Sequence, residues 1–581
     1  MLIKKPSISL MLLGLLLASC SEPEAPELSE NTESAANSSS SSSQEQVNQK
    51  QANSNQKQPN ILLVVADDLG MLDIGAFGSE IRTPSLDQLA QQGVKLTNFY
   101  ASATCSPTRA MLLSGTDNHA AGMGNMIEHI APNQKGQAGY EGHLSENVVS
   151  VARLLQDAGY QTMIAGKWHL GMKDELLPNR RGFDESFILG QGGASYFNDM
   201  KGIVGVVPDA FYRRNGETVT ELPDDFYASE YYADFIIDNL ENGEQDKPFF
   251  AYLAFTAPHW PLQVRDEHVD LYKGRYDEGY EALQAERVAK AKQIGLIPAD
   301  ASLADAPSHV TPWSELTDQE KKVQSRTMEV YSATVERMDY HLGRVISYLE
   351  EKGELDNTLI VFMSDNGADG SDRSKLAGNK EWLPKAWDLS YENMGKKDSY
   401  VYPGAAWAWA SGGNHRMYKE FLSEGGIHVP AIISYPKIQN KGAEVDALIS
   451  VTDIAPTLLE FAGVAHPGET YNGKEIKPIT GISLMPIVNG EGRVNAQERV
   501  LGWELFGQRV IRKGDWKLLW LSSKPKWLVQ PDGADQWGLY NLAVDPAEET
   551  NLIEQEPQKF AELLALWEQY SEEQGVILPV W

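Results

Sequence analysis

Residues 61–68 read Ile61-Leu-Leu-Val-Val-Ala66-Asp67-Asp68, an unbroken apolar run that ends in two carboxylates. A run of this kind is typical of a strand buried on both faces of a parallel sheet. The pattern recurs far along the chain, where Leu359-Ile-Val-Phe-Met363 leads into Ser364-Asp365-Asn366-Gly367. Because open parallel sheets bind ligands beyond the carboxyl ends of their strands, we expect the two polar endings to share one site.

The two endings together supply three carboxylates and one amide, and this much negative charge needs a cation. The candidate ligands are Asp67, Asp68, Asp365 and Asn366. All four offer hard oxygen atoms, and no histidine belongs to either motif, so the set favours Ca²⁺ or Mg²⁺ over zinc. A solvated loop is the simpler interpretation of one Asp-Asp pair, but the second strand with the same ending favours a metal site.

Two further predicted strands end in basic side chains. Tyr160-Gln-Thr-Met-Ile-Ala165 leads into Gly166-Lys167-Trp168-His169-Leu170-Gly171, and Phe249-Phe-Ala-Tyr-Leu-Ala-Phe255 leads into Thr256-Ala-Pro-His259-Trp-Pro261. A single histidine after a strand is more often structural than catalytic. Lys167 and His169 lie two residues apart at a third strand end, which makes them stronger candidates for a functional pair.

The segment Cys105-Ser-Pro-Thr-Arg-Ala-Met-Leu-Leu-Ser-Gly115 predicts a helix that begins at a cysteine. Proline suits the first turn of a helix, where its missing N–H has no cost, and residues 110–113 favour helix. Cys105 would then lie where free N–H groups and the helix dipole favour an anion. The alternative is a small buried thiol.

The same segment resembles the signature of the type I sulfatases, which is Cys-x-Pro-x-Arg-x-x-x-Leu, then Ser or Thr, and then Gly. The endings at 166–171 and 258–261 are similar to two further motifs of that family. Tyr418-Lys419-Glu-Phe-Leu-Ser-Glu424-Gly-Gly426 resembles the family segment in which a lysine precedes Glu-Gly-Gly. The resemblance spans about 58 to 581 and is closest in wording to bacterial arylsulfatases. It implies an alkaline-phosphatase-like α/β fold, in which helices flank a mixed, mainly parallel sheet and a smaller C-terminal antiparallel sheet carries a helix.

The resemblance implies that a formylglycine-generating maturation enzyme oxidises Cys105, and that the hydrate of the resulting aldehyde is the nucleophile. It also implies one Ca²⁺ per chain on Asp67, Asp68, Asp365, Asn366 and the modified residue 105. Asp365 would assist deprotonation of the attacking hydroxyl. Attack on sulfur would give a covalent sulfo-enzyme, from which sulfate leaves as the aldehyde returns.

The resemblance implies roles for the remaining candidates as well. His259, with Lys419, would protonate or stabilise the leaving oxygen of the ester. His169 would serve the elimination step. Arg109 and Lys167 would hold the hydrate, so that the lysines and the metal offset charge on the sulfuryl oxygens.

Several residues near Lys419 stay outside this assignment. Family members often have arginine where His428 stands, so His428 receives no role. His415 and Arg416 are candidate substrate-side residues. The segment 382–409 carries four tryptophans that could line a pocket, although packing beneath a long loop is the simpler interpretation.

Helical periodicity is clear from Thr327 to Lys352, and a second helix is predicted from Glu146 to Ala158. Residues 262–325 are charged and helix-prone, and they predict an insertion near the site. We expect the catalytic domain to span residues 58–490.

Residues 491–581 predict a C-terminal α+β subdomain. Lys513-Gly514-Asp515 lies between the two apolar runs 508–512 and 516–520, which indicates a hairpin. A final helix is predicted from Lys559 to Tyr570.

The N-terminal residues predict an exported bacterial lipoprotein. Lysines and an apolar run precede Leu17-Ala-Ser-Cys20, which resembles a lipobox, so residues 1–19 are interpreted as a signal peptide and Cys20 as lipidated. An ordinary cleaved signal peptide is the alternative. Residues 20–57 are mostly Ser, Gln, Asn and Glu and predict a disordered tether. The expected location is the periplasmic face of a membrane or the cell surface, with the lipid anchor as the only membrane contact.

The net charge of the 581-residue chain is −31, from 50 basic and 81 acidic residues. This balance excludes nucleic acid as a partner, and it means that a sulfated small molecule or glycan needs a local positive site. Aryl sulfate, sugar sulfate and sulfated polysaccharide all stay open as substrates. The alternatives to a sulfatase are a phosphodiester or phosphonate monoester hydrolase of the same superfamily, and a non-catalytic lipoprotein that binds sulfated glycans.

Overall fold

The computed structural model describes residues 58–376, 378–490 and 498–581. The predicted signal peptide 1–19, the lipidated Cys20 and the tether 20–57 lie outside the described residues. The predicted boundary between 490 and 491 falls at the edge of the described range, so this division also stays a prediction. No helix within the described ranges has both the length and the apolar character needed to cross a membrane.

The strands are labelled in chain order. They are β1 Asn60–Ala66, β2 Val94–Leu96, β3 Phe99–Tyr100, β4 Gln161–Lys167, β5 Glu185–Leu189, β6 Lys201–Val204, β7 Val207–Asp209, β8 Tyr212–Arg214, β9 Glu217–Val219, β10 Phe249–Ala254, β11 Thr358–Ser364, β12 Ala431–Ser434, β13 Ala443–Val445, β14 Ile449–Ser450, β15 Thr470–Tyr471, β16 Lys474–Glu475, β17 Val500–Leu505, β18 Gln508–Lys513, β19 Trp516–Trp520 and β20 Trp537–Asn541.

The α-helices are labelled in the same way. They are α1 Pro84–Gln92, α2 Cys105–Ser114, α3 Val151–Asp157, α4 Ala228–Asn242, α5 Tyr280–Gln293, α6 Asp318–Glu351, α7 Asn379–Ala386, α8 Gly404–Gly412, α9 Glu424–Ile427, α10 Ile454–Ala462, α11 Met485–Val488 and α12 Pro557–Glu573.

The main sheet has the strand order β13-β2-β12-β11-β1-β10-β4-β5-β8-β9. Its five central strands, from β11 to β5, run parallel to one another. Antiparallel strands flank this block, since β12 pairs with β11 and β8 pairs with β5. The mixed, mainly parallel α/β sheet expected from the sequence is confirmed.

Strand β1 is buried on both faces, as its unbroken apolar run predicts. Its even-numbered residues from Leu62 to Ala66 pack in one hydrophobic core, and its odd-numbered residues from Ile61 to Val65 pack in a second. This division follows from the alternation of side chains along a strand. Helices α1, α4 and α6 contribute to the first core and α2, α3 and α10 to the second, so the sheet is covered on both sides.

Strand β4 comes unusually close to its neighbour at its carboxyl end. Gly166 has a φ of 114°, and a Cβ atom there would lie 1.8 Å from the carbonyl oxygen of Ala254 on β10. Glycine is the residue that tolerates both the left-handed backbone and this separation. The next residue, Lys167, is therefore placed at the carboxyl edge of the sheet beside β10.

Two predicted helices begin at different residues in the structure because of their caps. Helix α6 begins at Asp318 rather than at Thr327, since Thr317 and Glu320 form a capping box at its start. Helix α3 begins only at Val151, because the Ser150 hydroxyl accepts a hydrogen bond from the Arg153 N–H and caps the helix there. Periodicity alone did not locate either cap.

The predicted insertion at 262–325 is only partly helical, since α5, the first turns of α6 and two short 3₁₀ turns account for its regular structure. Arg287 on α5 is buried and donates hydrogen bonds to the carboxylates of Asp73 and Glu80. Both partners lie on the chain that follows β1. The insertion therefore packs against the loop that carries the Asp67-Asp68 ending.

The tryptophan-rich segment packs inward rather than lining an open pocket. Trp407 and Trp409 are buried in the first hydrophobic core. Trp387 is buried in a smaller cluster, against which Trp382 packs. The interpretation of these residues as packing beneath a loop is confirmed.

Strands β17 to β20 form a separate four-stranded antiparallel sheet. The predicted hairpin is present as β18 and β19. Helix α12 covers the sheet, with Leu563 and Trp567 packed against Ile511, Leu518 and Leu539. The helix is longer than predicted, but the smaller antiparallel sheet with its helix is confirmed.

Candidate active site

The carboxyl ends of β1 and β11 bring the four candidate metal ligands together. The two strands pair in parallel with Ala66 opposite Ser364, so the residues that follow them are neighbours. The Asn366 amide nitrogen donates to Asp68 Oδ1 at 2.7 Å, and the Asp68 N–H lies 3.3 Å from Asp365 Oδ1. The shared site predicted from the two strand endings is present.

Three buried cations face the three carboxylates. Lys167 Nζ is 2.7 and 2.8 Å from the two Asp67 oxygens. Lys419 Nζ is 2.6 and 2.8 Å from those of Asp68. The remaining carboxylate, Asp365, accepts two hydrogen bonds at Oδ2 from one guanidinium, at 2.9 and 2.8 Å.

That guanidinium belongs to Arg109, one turn after Cys105 on α2. Arg109 is fully buried and also donates to the Lys167 carbonyl oxygen at 2.9 Å. Cys105 Sγ lies 3.3 Å from Asp67 Oδ1 and 3.8 Å from Asp68 Oδ1. The predicted helix start is thus inside the charged cluster, and burial raises the pKa of the Cys105 thiol well above its usual range.

His259, after β10, reaches the same cluster. Its Nε2 is 3.6 Å from Asp68 Oδ2, and its Nδ1 is 2.5 Å from the Trp260 carbonyl oxygen. A carbonyl oxygen only accepts hydrogen bonds, so Nδ1 carries the proton and Nε2 is the atom that faces the site. Burial, reinforced by Lys419 and Lys167, lowers the pKa of His259 well below its usual value.

His169 lies at the edge of the cluster in a left-handed backbone conformation, with a φ of 55°. Its Nε2 is 3.4 Å from Glu128 Oε1. Burial lowers the pKa of His169. Glu128 is a partner that the sequence analysis missed, because it belongs to no strand ending and to no motif.

The donor set fits a divalent cation. Asn366 Oδ1 is buried and accepts no hydrogen bond from any described residue. Burial raises the pKa of Asp67 to about 7, although Lys167 opposes the shift. Burial acts on Asp68 in the same sense, but Lys419 and Lys167 outweigh it and lower the pKa of Asp68. An unpartnered buried oxygen among crowded carboxylates is the environment that a hard cation stabilises.

One histidine approaches this donor set, which the sequence motifs did not indicate. Ligand atoms of Asp67, Asp68, Cys105 and His259 all lie within 4.8 Å of one another. Oxygen still dominates, since Asp365 and Asn366 complete the cluster. The structure shows a buried, carboxylate-rich site that could hold a metal ion, and the preference for Ca²⁺ or Mg²⁺ over zinc stays a prediction.

Residues 59–464 match the Sulfatase family model, which is well over half of the chain. The chain belongs to the sulfatase family. Residues 413–574 match a second model, described as N-sulphoglucosamine sulphohydrolase, C-terminal. The two models together cover the main sheet and the small C-terminal sheet.

Known proteins support the same assignment. An uncharacterised sulfatase of Schizosaccharomyces pombe is 43% identical over 539 residues, covering 91% of this chain and 96% of its own. An arylsulfatase of Klebsiella aerogenes is 39% identical over 434 residues, covering 74% of this chain and 92% of its own. A structure solved in complex with its substrate, D-glucosamine-2-N,6-O-disulfate, shares the fold with a TM-score of 0.59 at 22% identity, covering 89% of this chain and 98% of that one. The chain is therefore an enzyme that hydrolyses sulfate esters.

Two of the candidate substrate-side residues of this sulfatase make other contacts. His415 is buried, and its ring stacks on that of His428 with 4.6 Å between the ring centroids. Arg416 donates a hydrogen bond to the carbonyl oxygen of Asp532 in the C-terminal region. Arg416 thus links the segment before Lys419 to the C-terminal region.

Gly192 and Gly193, just after β5, lie against the two candidate histidines of the sulfatase. A Cβ atom on Gly192 would be 3.0 Å from His169 Cε1, and one on Gly193 would be 3.0 Å from His259 Cε1. Neither glycine has a left-handed φ, so the requirement at these positions is space rather than backbone conformation. The pair forms a wall without side chains that leaves room for the two imidazole rings.

We expect Gly193→Ala to lower kcat by about ten- to a hundredfold, because the added methyl would displace the His259 ring from its position. The unfolding temperature should change little. Steady-state kinetics and thermal unfolding of the purified variant check this.

The same methyl would also lie 2.6 Å from Ile203 Cδ1, which Ile203→Val removes. The double variant Gly193→Ala/Ile203→Val should stay slow. Full recovery of the rate would show that the contact with Ile203, and not the one with His259, caused the loss.

Proposed function

We propose that this sulfatase acts through a formylglycine made from Cys105 and through one bound Ca²⁺. The observation that carries the proposal is the position of Cys105 Sγ, which lies 3.3 Å from Asp67 at a helix start, among three carboxylates and three cations. An unmodified thiol with a raised pKa is a poor nucleophile. The hydrate of an aldehyde at residue 105, once formed by a maturation enzyme, supplies a hydroxyl oxygen in the same place.

Four side chains would hold the metal, namely Asp67, Asp68, Asp365 and Asn366, with residue 105 beside them. The unpartnered Asn366 Oδ1 supports this assignment. Ca²⁺, when bound, offsets negative charge on the sulfuryl oxygens of the ester.

Asp365 is held so that one oxygen stays available for proton transfer. Arg109 occupies Oδ2 with two hydrogen bonds, while Oδ1 receives one longer bond from the Asp68 N–H. We propose that Asp365 Oδ1 accepts the proton that the attacking hydroxyl loses. Arg109 and Lys167 would hold the carboxylates in fixed positions relative to residue 105.

His259 would protonate the leaving oxygen from Nε2 after Nε2 has itself taken up a proton beside the bound anionic ester, since the Nδ1 proton stays on the Trp260 carbonyl. Its Nδ1 is fixed on the Trp260 carbonyl, which aims Nε2 at Asp68, the carboxylate that Lys419 pairs with. Lys419 would stabilise the same oxygen as its negative charge grows. His169, held by Glu128, would take the proton in the step that releases sulfate.

The substrate is a sulfated molecule, and we infer that both aryl and sugar sulfates enter the site. The arylsulfatase relative supports the first class. The structural relative with its bound glucosamine disulfate supports the second, at the level of a shared fold.

We also propose that the enzyme is exported and anchored by a lipid on Cys20, with residues 21–57 as a tether. The lipobox-like ending and the polar composition support this interpretation. The enzyme would then act at the periplasmic face of a membrane or at the cell surface, on substrates that do not enter the cytoplasm.

We expect active protein to carry formylglycine at residue 105. Mass spectrometry of the tryptic peptide should show loss of the sulfur atom and gain of the aldehyde oxygen, and Cys105→Ala should abolish hydrolysis of nitrophenyl sulfate. The same assay with nitrophenyl phosphate measures how far the site favours sulfate over phosphate. Full activity of a protein with an intact thiol at 105 would overturn the mechanism.

We expect a chelator to remove one Ca²⁺ per chain and to abolish activity, because the site then lacks the metal charge that offsets the sulfuryl oxygens of the ester. At a metal concentration of about 100 Kd, bound Ca²⁺ should contribute about 3 kcal/mol to stability. Metal analysis and thermal unfolding with and without Ca²⁺ measure both effects. Asn366→Ala should weaken the affinity for Ca²⁺. Stoichiometric zinc without calcium in active protein would contradict the assignment.

We expect His259→Ala to slow a sugar sulfate about a hundredfold or more, because an alkoxide leaving group needs a proton. An activated aryl sulfate such as nitrophenyl sulfate should lose much less activity. His415→Ala, which removes a buried histidine that stacks on His428, is the matched control. Equal losses on both substrates would mean that His259 is not the acid, and Lys419 would become the better candidate.

We expect the lipid-modified wild type to partition into the detergent phase and Cys20→Ala to partition into the aqueous phase. A single acyl-bearing residue on an otherwise polar N-terminal segment is the physical reason. Detergent phase separation of whole-cell extracts makes the comparison. Aqueous partitioning of both forms would leave a soluble exported enzyme.

A further inference from the structure

A single turn of 3₁₀-helix, Ile127–His129, lies at the edge of the active site. Its Glu128 carboxylate is 3.4 Å from His169 Nε2 and is 48% exposed, so it contacts the site on one side and solvent on the other. Burial lowers the pKa of the next residue, His129, and the charges of Glu420 and Lys419 also act on that pKa. The turn therefore adjoins the catalytic cluster.

The C-terminal region contributes an aromatic residue to this turn. The indole of Trp527, between β19 and β20, stacks on the His129 ring with 4.2 Å between centroids and 22° between planes. Phe506 meets both rings edge-on, at 5.6 Å from His129 and 5.0 Å from Trp527. Trp527 is nevertheless 40% exposed, and Ile127 is 53% exposed. A rigid ring cluster with an open apolar surface is suited to packing against the ring of a ligand.

Two lysines precede the exposed indole in the segment Lys524-Pro525-Lys526-Trp527. Both are exposed, and within the described ranges neither side chain forms an ion pair. The pKa of Asp535 is lowered mainly by hydrogen bonds from Ser523, and Lys524 contributes only a smaller part. In a chain with a net charge of −31, two unpaired positive charges in the segment whose Trp527 contacts the turn at the edge of the site are a local exception.

We propose that Lys524, Lys526 and Trp527, with the exposed side chain of Ile127, form a second anion-binding subsite at the rim of the active site. Its ligand is a sulfated glycan that carries at least one further sulfate or carboxylate besides the ester that is hydrolysed. The lysines bind the second anion and the indole packs against a sugar ring. The inference rests on the proposed function, and it selects a multiply charged glycan from the substrates that the sequence left open.

The charge pattern favours this ligand over a simple aryl sulfate. An aryl sulfate has one anionic group, which the catalytic cations Lys167 and Lys419 already neutralise. The two lysines beside Trp527 then have nothing to bind. A glycan with several anionic groups uses both sets of cations at once, and the second contact raises its effective affinity.

Dextran sulfate, a polyanionic glucan, tests the proposal as an inhibitor of nitrophenyl sulfate hydrolysis by the full-length enzyme. We expect Lys524→Gln/Lys526→Gln to raise the half-inhibiting concentration about three- to tenfold at low salt, with the difference shrinking at physiological salt. Trp527→Ala should raise it about tenfold at both salt concentrations, because stacking is not screened. Trp527→Phe should restore most of the loss.

The double variant Lys437→Gln/Lys474→Gln is the matched control, since it removes two exposed lysines elsewhere on the surface. It should not change inhibition by dextran sulfate, and neutral dextran should not inhibit any form. Inorganic sulfate binds only in the catalytic pocket. Its half-inhibiting concentration, measured for each variant, therefore shows whether the substitution has changed that pocket. The same half-inhibiting concentration of dextran sulfate in the wild type and in the rim variants would overturn the subsite.

Failure of the proposed function gives a different result. A correctly matured wild type that does not hydrolyse nitrophenyl sulfate would count against the proposed function. Calorimetric titration of dextran sulfate into the same variants then decides the subsite independently. Weaker binding by the rim variants alone supports it, and equal binding by all forms rejects it.

Discussion

Six buried charges at the carboxyl edge of one parallel sheet are the constraint on which the rest of the structure depends. Three carboxylates and three cations, each removed from water, are tolerable only because every one of them has a partner within 3 Å. Removal of one partner would leave an unpaired buried charge, which typically costs several kcal/mol. The fold must therefore bring several elements to this edge at once. They are the strand ends, the start of α2 and the loops that carry the lysines.

The sheet meets this demand through its register. Ala66 lies opposite Ser364 and Ala254 lies opposite both Val65 and Gly166, so four strand endings are level with one another. Side chains that follow level strands share one edge without any long loop to place them. Arg109 then ties the edge to α2, since one guanidinium contacts both the Asp365 carboxylate and the Lys167 backbone.

Much of this could be predicted from the sequence because it depends on local patterns. An apolar run that stops at Asp67 indicates both a buried strand and its functional end, and the Cys105 segment indicates a helix start. The contacts that no local pattern contains could not be predicted. Glu128 contacts His169 only because a turn distant in sequence folds beside it. The need for glycine at position 192 is visible only once the His169 ring is seen to lie next to it. Helix starts were misplaced where Thr317 and Ser150, rather than periodicity, decide where the helix begins.

His428, which receives no role from the sequence, belongs to a stack of rings. The ring lies between those of Tyr100 and His415, with 4.7 and 4.6 Å between centroids, and its Nε2 faces the Thr97 carbonyl oxygen. The Arg512 guanidinium lies over the Tyr100 ring, 4.6 Å from its centroid. A flat side chain fits this stack, and Arg512 from the small sheet brings a positive charge to the same group of rings.

The buried contact between Lys517 and Glu424 has a consequence for how the chain can be divided. Lys517, on β19, is fully buried and lies 2.7 Å from Glu424, five residues after Lys419, and 2.7 Å from Glu548. The ammonium group that neutralises the Glu424 carboxylate thus comes from the far end of the polypeptide. The two sheets are consequently not interchangeable modules. A chimera that kept the catalytic half and replaced the C-terminal half would need a cation at this one point, or it would bury a bare carboxylate beside its own active site.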